Sequence, residues 1–184
     1  MKHIVAISGA SGAIFGIELL KSLPSSDTKV LVMSQTAKLI IEDETDYTVT
    51  QVEQMADEVY ENFDLAAQVS SGSNPFDNLV ISPCSASTFS KIAAGISDNL
   101  ITRVASVALK EKRRLIILPR EAPLSTVHLE NLTKISNWGA IIFPPAPPFY
   151  HYPKTLQDQL DFVTGRTLEL MGIENKKYKK WGQE

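Results

Sequence analysis

Residues 4–13 read Ile-Val-Ala-Ile-Ser-Gly-Ala-Ser-Gly-Ala, an apolar run followed by a glycine-rich turn. The run predicts a buried strand over Ile4–Ser8, and a segment of helical period, Gly12–Leu23, follows the turn. Glycines permit a tight turn, and the free N–H groups at the start of a helix attract anions. The turn Ser8–Ala13 is therefore a candidate phosphate site, although an ordinary strand-to-helix turn capped by Ser11 would have the same sequence.

The same alternation continues along the chain, where short apolar runs are separated by longer segments of helical period. Such alternation is typical of a parallel sheet covered on both faces. We predict a single domain over residues 1–184 with an α/β fold, a Rossmann-like (flavodoxin-like) doubly wound parallel sheet. The further strands are predicted at Val30–Met33, Leu79–Ser82, Leu115–Leu118 and Ala140–Phe143. The further helices are predicted near Gln35–Ile41, Val49–Tyr60, Ser87–Ala94, Leu100–Lys112, Ser125–Asn137 and Leu156–Met171.

The composition is that of an ordinary globular protein. Of the 184 residues, 43% are hydrophobic and 21% are charged, which excludes a mainly disordered chain. The formal net charge is −3, so no overall basic character favours a nucleic-acid partner. Cys84 is the only cysteine, which excludes an internal disulfide framework and a multi-cysteine metal site.

No segment has the sequence pattern of a membrane span or of a signal peptide. The longest uncharged stretch, Ile135–Pro153, contains five prolines and Gly139 and therefore does not form a regular helix. The chain begins Met1-Lys2-His3 and enters the first strand at once, where a signal peptide would have a longer apolar run. We therefore expect a cytoplasmic protein.

The glycines of the first turn do not match the dinucleotide-binding fingerprint. They stand at positions 9, 12 and 16, not in the spacing G-x-G-x-x-G. The acidic residue that would bind a ribose about 20 residues further on is also missing, because the second strand ends at Met33-Ser34. The pattern disfavours a nicotinamide dehydrogenase and leaves a mononucleotide phosphate open.

The turn after the third predicted strand, Ser82-Pro83-Cys84-Ser85-Ala86-Ser87-Thr88, is the most informative segment for function. Its hydroxyl groups and the free amides of a helix start are neutral donors that suit a flavin phosphate or ring edge. For this segment alone, a plain Ser/Thr-rich helix cap is the alternative. Because the carboxyl ends of parallel strands meet at one edge, we expect this turn to lie near the first turn, Ser34 and Arg120.

Several motifs together resemble a known family. Pro83-Cys84-Ser85 and the later run Lys91–Leu100 are similar to the flavoprotein superfamily of flavin prenyltransferases and cysteine-type flavin decarboxylases. The chain resembles the UbiX-type flavin prenyltransferases more specifically. The motifs for this follow in order over nearly the whole chain: Gly9–Ala13, Glu44–Asp46, Val107–Glu111, Pro119–Pro123, His128–Asn131, Phe149–His151 and Trp181-Gly182.

The resemblance implies an enzyme that transfers a dimethylallyl group from dimethylallyl monophosphate to reduced FMN without a metal. The product, prenylated FMN, would be used by a separate prenyl-FMN-dependent decarboxylase. The resemblance also implies a homo-oligomer, because relatives commonly assemble as dodecamers.

The same resemblance assigns the residues of the site. It places FMN against Gly9, Ala10, Ser11, Ser34, Ser85, Ala86, Ser87, Thr88 and Arg120. It places the donor phosphate against Lys110, Tyr150 and Arg166. Arginine offers phosphate a planar fork of donors, and lysine offers a mobile point charge. The catalytic groups would be Ser11, Glu44, Lys110 and Glu121, with the carboxylates as acid or base and Ser11 as a proton relay near flavin N5.

Three further segments complete the prediction. The run Glu42–Asp46 holds four carboxylates, but they fall on different faces and no second acidic motif is present, so we expect no metal site. The proline-rich stretch Phe143–Pro153 predicts a stiff loop with an aromatic wall that shields an allyl cation. The alternatives are a structural crossing of the chain after the last strand and a contact with another subunit. The C-terminal helix and tail, about residues 155–184, are expected to pack at the active site or at a subunit contact.

Alternative functions remain open at this stage. A cysteine-type decarboxylase would carry a catalytic histidine on an early helix, and none lies in Gln35–Ile41 because the histidines are His3, His128 and His151. An FMN-dependent decarboxylase, or an FMN-carrying subunit of an aromatic acid decarboxylase, is the alternative to prenyl transfer. Cys84 has no histidine beside it in sequence, so we predict a packed thiol and not a nucleophile.

Overall fold

Six parallel strands form one sheet. In chain order they are β1 (Lys2–Ile7), β2 (Thr28–Met33), β3 (Glu58–Glu61), β4 (Asn78–Cys84), β5 (Arg114–Pro119) and β6 (Ile141–Ile142). The computed structural model describes residues 1–182. The last two residues of the predicted C-terminal segment, 183–184, lie outside the described residues.

The strand order is β3-β2-β1-β4-β5-β6, which is the order of the Rossmann fold. Without the edge strand β3, the remaining order is that of flavodoxin, so both parts of the predicted fold class are confirmed. The order reverses between β1 and β4. Ligands of open parallel sheets bind at the carboxyl ends of the strands flanking such a reversal, and this position locates the candidate site.

Six helices of residues 1–182 lie between the strands, and a seventh follows β6. They are α1 (Ile14–Ser22), α2 (Gln35–Glu44), α3 (Val49–Glu53), α4 (Ala86–Ala93), α5 (Leu100–Lys110), α6 (Thr126–Asn137) and α7 (Leu156–Leu170), and a short 3-10 turn spans Gln68–Ser70. Most begin where a polar side chain caps the first turn. Ser34 accepts the N–H of Ala37 at 3.1 Å, and Ser85 accepts the N–H of Thr88 at 3.3 Å. No helix of residues 1–182 combines the length and apolar character that a membrane crossing needs.

The two faces of the sheet bury alternate residues of each strand. In β1, Ile4 and Ala6 join the core cluster beneath α4, α5 and α6, whereas Val5 and Ile7 join the cluster beneath α1, α2 and α7. All four side chains are fully buried. This two-sided burial is the reason that the strands are continuous apolar runs without the polar alternation of half-exposed sheets.

The prediction of one helix over Val49–Tyr60 was wrong in its second half. Helix α3 ends at Glu53, and the chain then forms β3 at the edge of the sheet. Pairing with β2 accounts for the change, because the N–H of Asp57 donates to the carbonyl of Lys29 at 2.9 Å and the Asp57 carboxylate accepts the N–H of Lys29 at 2.8 Å. This non-local pairing overrides a local pattern that also fits a helix.

Candidate functional site

The turns at the carboxyl ends of β1, β2, β4 and β5 form one rim. The first carries Gly9–Gly12, the second Ser34, the third Ser85–Thr88 and the fourth Arg120-Glu121. The N–H of Ser34 donates to the carbonyl of Ile7 at 3.0 Å, and the N–H of Arg120 donates to the carbonyl of Cys84 at 2.9 Å. All nine residues predicted to bind FMN therefore lie on neighbouring turns.

Ser8, which the sequence reasoning did not include in the site, holds two of these turns together. Its side chain is buried at the end of β1. Its Oγ donates to the carbonyl of Pro83 at 3.0 Å and accepts the N–H of Ser85 at 2.8 Å. The first and third turns are thus fixed to each other across the switch point. The sequence carried one signal for this role, a hydroxyl group at the end of a buried apolar strand. A buried hydroxyl requires a hydrogen-bond partner, which predicts a contact with a neighbouring segment.

The first turn is closed by a carboxylate from another element. The N–H of Gly12 donates to Oε2 of Glu44 at 2.8 Å, and Gly12 has a φ of +93°, which favours glycine. Glu44 stands at the last position of α2 and is exposed. The structure therefore brings two of the predicted catalytic residues, Ser11 and Glu44, to the same turn.

The rim offers hydrogen-bond donors with little added charge, and this donor set fits the phosphate of FMN. Helices α2 and α4 begin at the rim, and the first turn of any helix leaves backbone N–H groups without intrahelical partners. The hydroxyls of Ser85 and Thr88 lie 2.9 Å apart at the start of α4. The guanidinium of Arg120, exposed on the neighbouring turn, adds one formal positive charge.

Glu121 extends from the same turn as Arg120. Its Oε1 accepts the N–H of Ala122 at 3.1 Å, and the side chain is exposed in this chain. The structure therefore places both predicted acid–base carboxylates, Glu44 and Glu121, at the rim, but neither is shielded from water within one chain.

Tyr150 belongs to an aromatic cluster where the proline-rich loop meets α7 and the C-terminal tail. Its ring lies edge-to-face with Phe162 at 6.1 Å and with Trp181 at 5.1 Å between centroids. A cavity of about 350 Å³ opens beside it, lined by Tyr150, His151, Tyr152, Lys179, Lys180, Trp181 and Gly182. The tail thus folds back over Tyr150 and brings two lysines with it.

Arg166 is joined to this cluster through Tyr178. The Tyr178 ring packs on Phe162 at 4.7 Å, and the Arg166 guanidinium contacts Tyr178 Oη at 3.5 Å and pairs with Glu169. The Tyr178 contact raises the pKa of Arg166 against the effect of burial, and Glu169 raises it further. Arg166 is therefore a permanent cation.

Glu169 is shared between two cations. Its Oε1 lies 3.1 Å from Lys180 Nζ, and its Oε2 accepts the hydroxyl of Tyr178 at 2.7 Å. Burial raises the pKa of Glu169, but the bonds from Tyr178, Lys180 and Arg166 outweigh burial and lower it. The group formed by Arg166, Lys180 and Glu169 carries one excess positive charge, which suits an anionic phosphate.

Lys110 is not brought to the rim of its own chain. It is the last residue of α5, four residues before the first residue of β5, and therefore lies near the amino edge of the sheet. Its ammonium pairs with Glu111 beside Gly72. The Lys110 ammonium holds the pKa of Glu111 below its usual value.

Cys84 is a packed side chain, and the carboxylates of the acidic run Glu42–Asp46 do not come together around a metal site in the described part of the chain. Cys84 is fully buried, and burial raises the pKa of its thiol far above the usual range, which confirms the predicted packed thiol. Among residues 1–182, no three His, Cys, Asp or Glu side chains come together as a metal site.

Comparison with known proteins relates this architecture to characterised sequences. A profile of the family described as Flavoprotein matches residues 1–165. The flavin prenyltransferase UbiX of Methanocaldococcus jannaschii is 48% identical over 182 residues, which cover 99% of each chain.

Solved structures share the whole fold. The crystal structure of AnUbiX (PadA1) in complex with FMN and dimethylallyl pyrophosphate has a TM-score of 0.97 and 41% identity, covering 100% of this chain and 98% of that one. A dodecameric FMN-dependent UbiX-like decarboxylase from Escherichia coli O157:H7 has a TM-score of 0.96 and 43% identity, covering 98% and 99%.

Proposed function

This chain belongs to the UbiX-type flavin prenyltransferases of the Flavoprotein family, and we propose that it transfers a dimethylallyl group from dimethylallyl monophosphate to reduced FMN. The observation that carries the proposal is the match of the whole chain to a protein crystallised with both FMN and a dimethylallyl ester. The rim supplies a place for the flavin phosphate, and the cationic cluster near Tyr150 supplies a place for the donor phosphate.

Reduced FMN is the acceptor and supplies the nucleophilic ring atoms to which the allyl group is joined. The chain holds it with Gly9, Ala10, Ser11, Ser34, Ser85, Ala86, Ser87, Thr88 and Arg120. Support comes from the contacts of the rim, where Ser8 fixes the first turn to the third and the starts of α2 and α4 present N–H donors.

The donor phosphate is bound by Tyr150, Arg166 and Lys110. Negative charge on this phosphate grows as the allyl–oxygen bond breaks, and fixed cations that face it lower the barrier. The excess positive charge of the Arg166, Lys180 and Glu169 group supports this assignment. Because cations of the chain do this work, we expect the same rate with EDTA as without it.

Protons are handled by Glu44, Glu121 and Ser11. The bond from Gly12 to Oε2 of Glu44 leaves Oε1 of that carboxylate available for a proton, beside Ser11. Ser11 relays protons between the flavin and Glu44, and Glu121 serves the opposite side of the rim. The carboxylates of Glu44 and Glu121 are exposed within one chain. The groups that would shield them from water are the bound flavin, the C-terminal tail after residue 155 or another copy of the chain.

Lys110 reaches the site from a neighbouring copy in a homo-oligomer, which we propose to be a dodecamer. The support is its position near the amino edge of its own sheet, together with the dodecamer of the Escherichia coli relative. Mixing Lys110→Ala with Arg166→Ala subunits tests this at a donor concentration well below the wild-type KM, because a site built from both proteins contains both native residues. Equal mixing then restores about a quarter of the wild-type rate, whereas a Lys110 that served its own chain restores none.

The experiment for the main proposal uses the purified wild-type protein. It is incubated without oxygen with reduced FMN and dimethylallyl monophosphate, and the mass of the extracted flavin is measured. A dimethylallyl adduct is expected; unmodified FMN from folded, flavin-loaded protein overturns the proposal. A parallel reaction with dimethylallyl pyrophosphate identifies the preferred donor.

An FMN-dependent decarboxylase is the second candidate, because the Escherichia coli relative carries that name. Release of carbon dioxide from an aromatic acid by this protein alone, with FMN, favours it. Release only after the flavin product is passed to a separate decarboxylase favours prenyl transfer. A cytoplasmic location fits a reaction that consumes reduced flavin.

A further inference from the structure

The sequence motif His128-Leu129-Glu130-Asn131 lies in the first two turns of α6 and has no part in the site described above. Its histidine forms a capping box with Ser125. The His128 Nδ1 accepts the backbone N–H of Ser125 at 3.3 Å, and the Ser125 Oγ accepts the backbone N–H of His128 at 3.3 Å. A glutamate or glutamine usually fills the position that His128 occupies.

This capping box fixes the end of the loop that carries Arg120 and Glu121. Every residue from Arg120 to Val127 is exposed, so side-chain packing within the chain does not fix the loop. The loop is anchored at its start by the N–H of Arg120 on the carbonyl of Cys84, and at its end by the cap of Ser125. The positions of the two functional side chains therefore depend on both anchors.

His128 also connects this loop to the helix that begins at the rim. Its ring lies edge-on to Phe89 at 5.7 Å, and Phe89 is the fully buried residue that follows Thr88 in α4. Asn131, of the same motif, donates to Ser90 Oγ at 3.0 Å. A glutamine at position 128 would serve the cap alone, whereas the imidazole serves both the cap and the contact with α4.

We propose that His128 is a positioning residue, which sets the Arg120–Glu121 loop against the start of α4 through the Ser125 cap and the Phe89 contact. It acts on the flavin site through Arg120 and Glu121. The proposal rests on the prenyl transfer proposed above.

The experiment compares His128→Ala with His128→Gln. Glutamine already has this role elsewhere in the chain, since Gln51 Oε1 accepts the N–H of Thr48 at 2.8 Å in the capping box of α3. His128→Ala is expected to bind FMN about tenfold more weakly and to lower kcat for prenyl transfer by a similar factor. His128→Gln, which keeps the cap but lacks the Phe89 contact, is expected to recover part of both losses. The exposed Glu130→Ala on the same helix changes neither.

The outcomes separate positioning from stability. If His128→Ala lowers Tm but keeps the wild-type FMN affinity and kcat per folded molecule, or if His128→Gln is no better than His128→Ala, the proposal is overturned. Ser125→Ala removes the other half of the cap and must reproduce the loss; it replaces His128→Ala if that variant does not fold. A wild-type protein that binds FMN but forms no adduct overturns prenyl transfer, and FMN affinities of the series still test the positioning role.

Discussion

The backbone N–H of Gly12 donates to Oε2 of Glu44 over 2.8 Å, although 32 residues separate them in sequence. One carboxylate therefore shapes the glycine turn that also carries Ser11. A neutral amide retains the acceptor oxygen for Gly12 but cannot exchange a proton at neutral pH, so the two roles can be separated by a single substitution.

Glu44→Gln is expected to keep FMN affinity within about threefold of wild type, because one good hydrogen bond is retained. Its kcat for prenyl transfer should fall by about 100-fold, the lower limit typical of a lost general acid or base. Fluorescence titration of FMN and mass analysis of the extracted flavin measure the two quantities. Equal losses in both would mean that Glu44 acts only as a support for the turn.

Tyr150→Phe should weaken the allyl phosphate by about three- to tenfold, the range for one hydrogen bond. Phenylalanine keeps the ring against Trp181 and Phe162, so the substitution removes the hydroxyl alone. Calorimetry on FMN-loaded protein measures the donor affinity, and Tyr60→Phe, on the edge strand β3 and outside this cavity, is the control. FMN affinity that fell as far as donor affinity would contradict the division of the site.

Arg166→Ala is expected to have the larger effect, about 10- to 100-fold on donor affinity, because a charge-assisted bond is lost. The loss also leaves Glu169 and Lys180 to neutralise each other, which removes the excess positive charge. Arg166→Lys restores the charge without the planar fork and should recover part of the affinity. The same calorimetric titration checks this order of affinities, and an Arg166→Ala protein with wild-type donor affinity would contradict it.

Ser8→Ala should lower the free energy of unfolding by about 1 kcal/mol, because the half-buried N–H of Ser85 and the carbonyl of Pro83 both lose a partner. It should also weaken FMN, since the first and third turns are no longer joined. Urea unfolding at a fixed protein concentration measures the first effect. The exposed Ser26→Ala is the control, and equal stabilities for the two variants would show that Ser8 does not hold the rim.

Asp27 predicts a pH dependence of stability. The N-terminal ammonium lowers the pKa of Asp27 below its usual value of 3.8, burial opposes this, and His3 adds to it. A carboxyl whose pKa is lower in the folded state stabilises it above the usual value, and this stability is lost as pH falls through the lowered value. Asp27→Asn should therefore lower Tm by about 2–4 °C at pH 7.

The difference in Tm between wild type and Asp27→Asn should shrink below pH 4 and vanish at lower pH. Thermal unfolding followed between pH 7 and pH 3 checks this. Asp43→Asn, at an exposed position of α2, should show no such convergence. A difference in Tm that is constant over the whole range would show that the loss is not due to the charge of Asp27.

The sequence predicted the rim because local patterns determine it. The apolar run Ile4–Ile7 specifies a strand buried on both faces, and the parallel topology that follows brings the turns at Gly9, Ser34 and Ser85 to one edge. Strand β3 was missed because its four residues include two glutamates, and what draws it into the sheet is a pairing with Lys29 that no local pattern encodes.

Two residues whose place in the site the sequence did not reveal, Ser8 and Lys110, depend on partners that are distant in sequence. The partners of Ser8 lie 75 and 77 residues away, so nothing near it in sequence reveals its role. Family resemblance assigned Lys110 to the donor phosphate, but the direction of α5 places it near the other edge of its own sheet. A motif preserves the order of functional residues along the chain and does not say which copy of the chain each residue serves.

Both borders of the sheet are built to resist further strands. Strand β3 has only four residues, and its Glu58 and Glu61 are paired with Lys2 and Lys38, so an added strand of a second copy would meet a short, charged edge. At the other border, β6 has only two residues and leads into a run of prolines that lack N–H groups. Pairing of strands between copies of the chain is therefore disfavoured at both edges. We expect contacts between copies to be made by the helices that cover the two faces of the sheet.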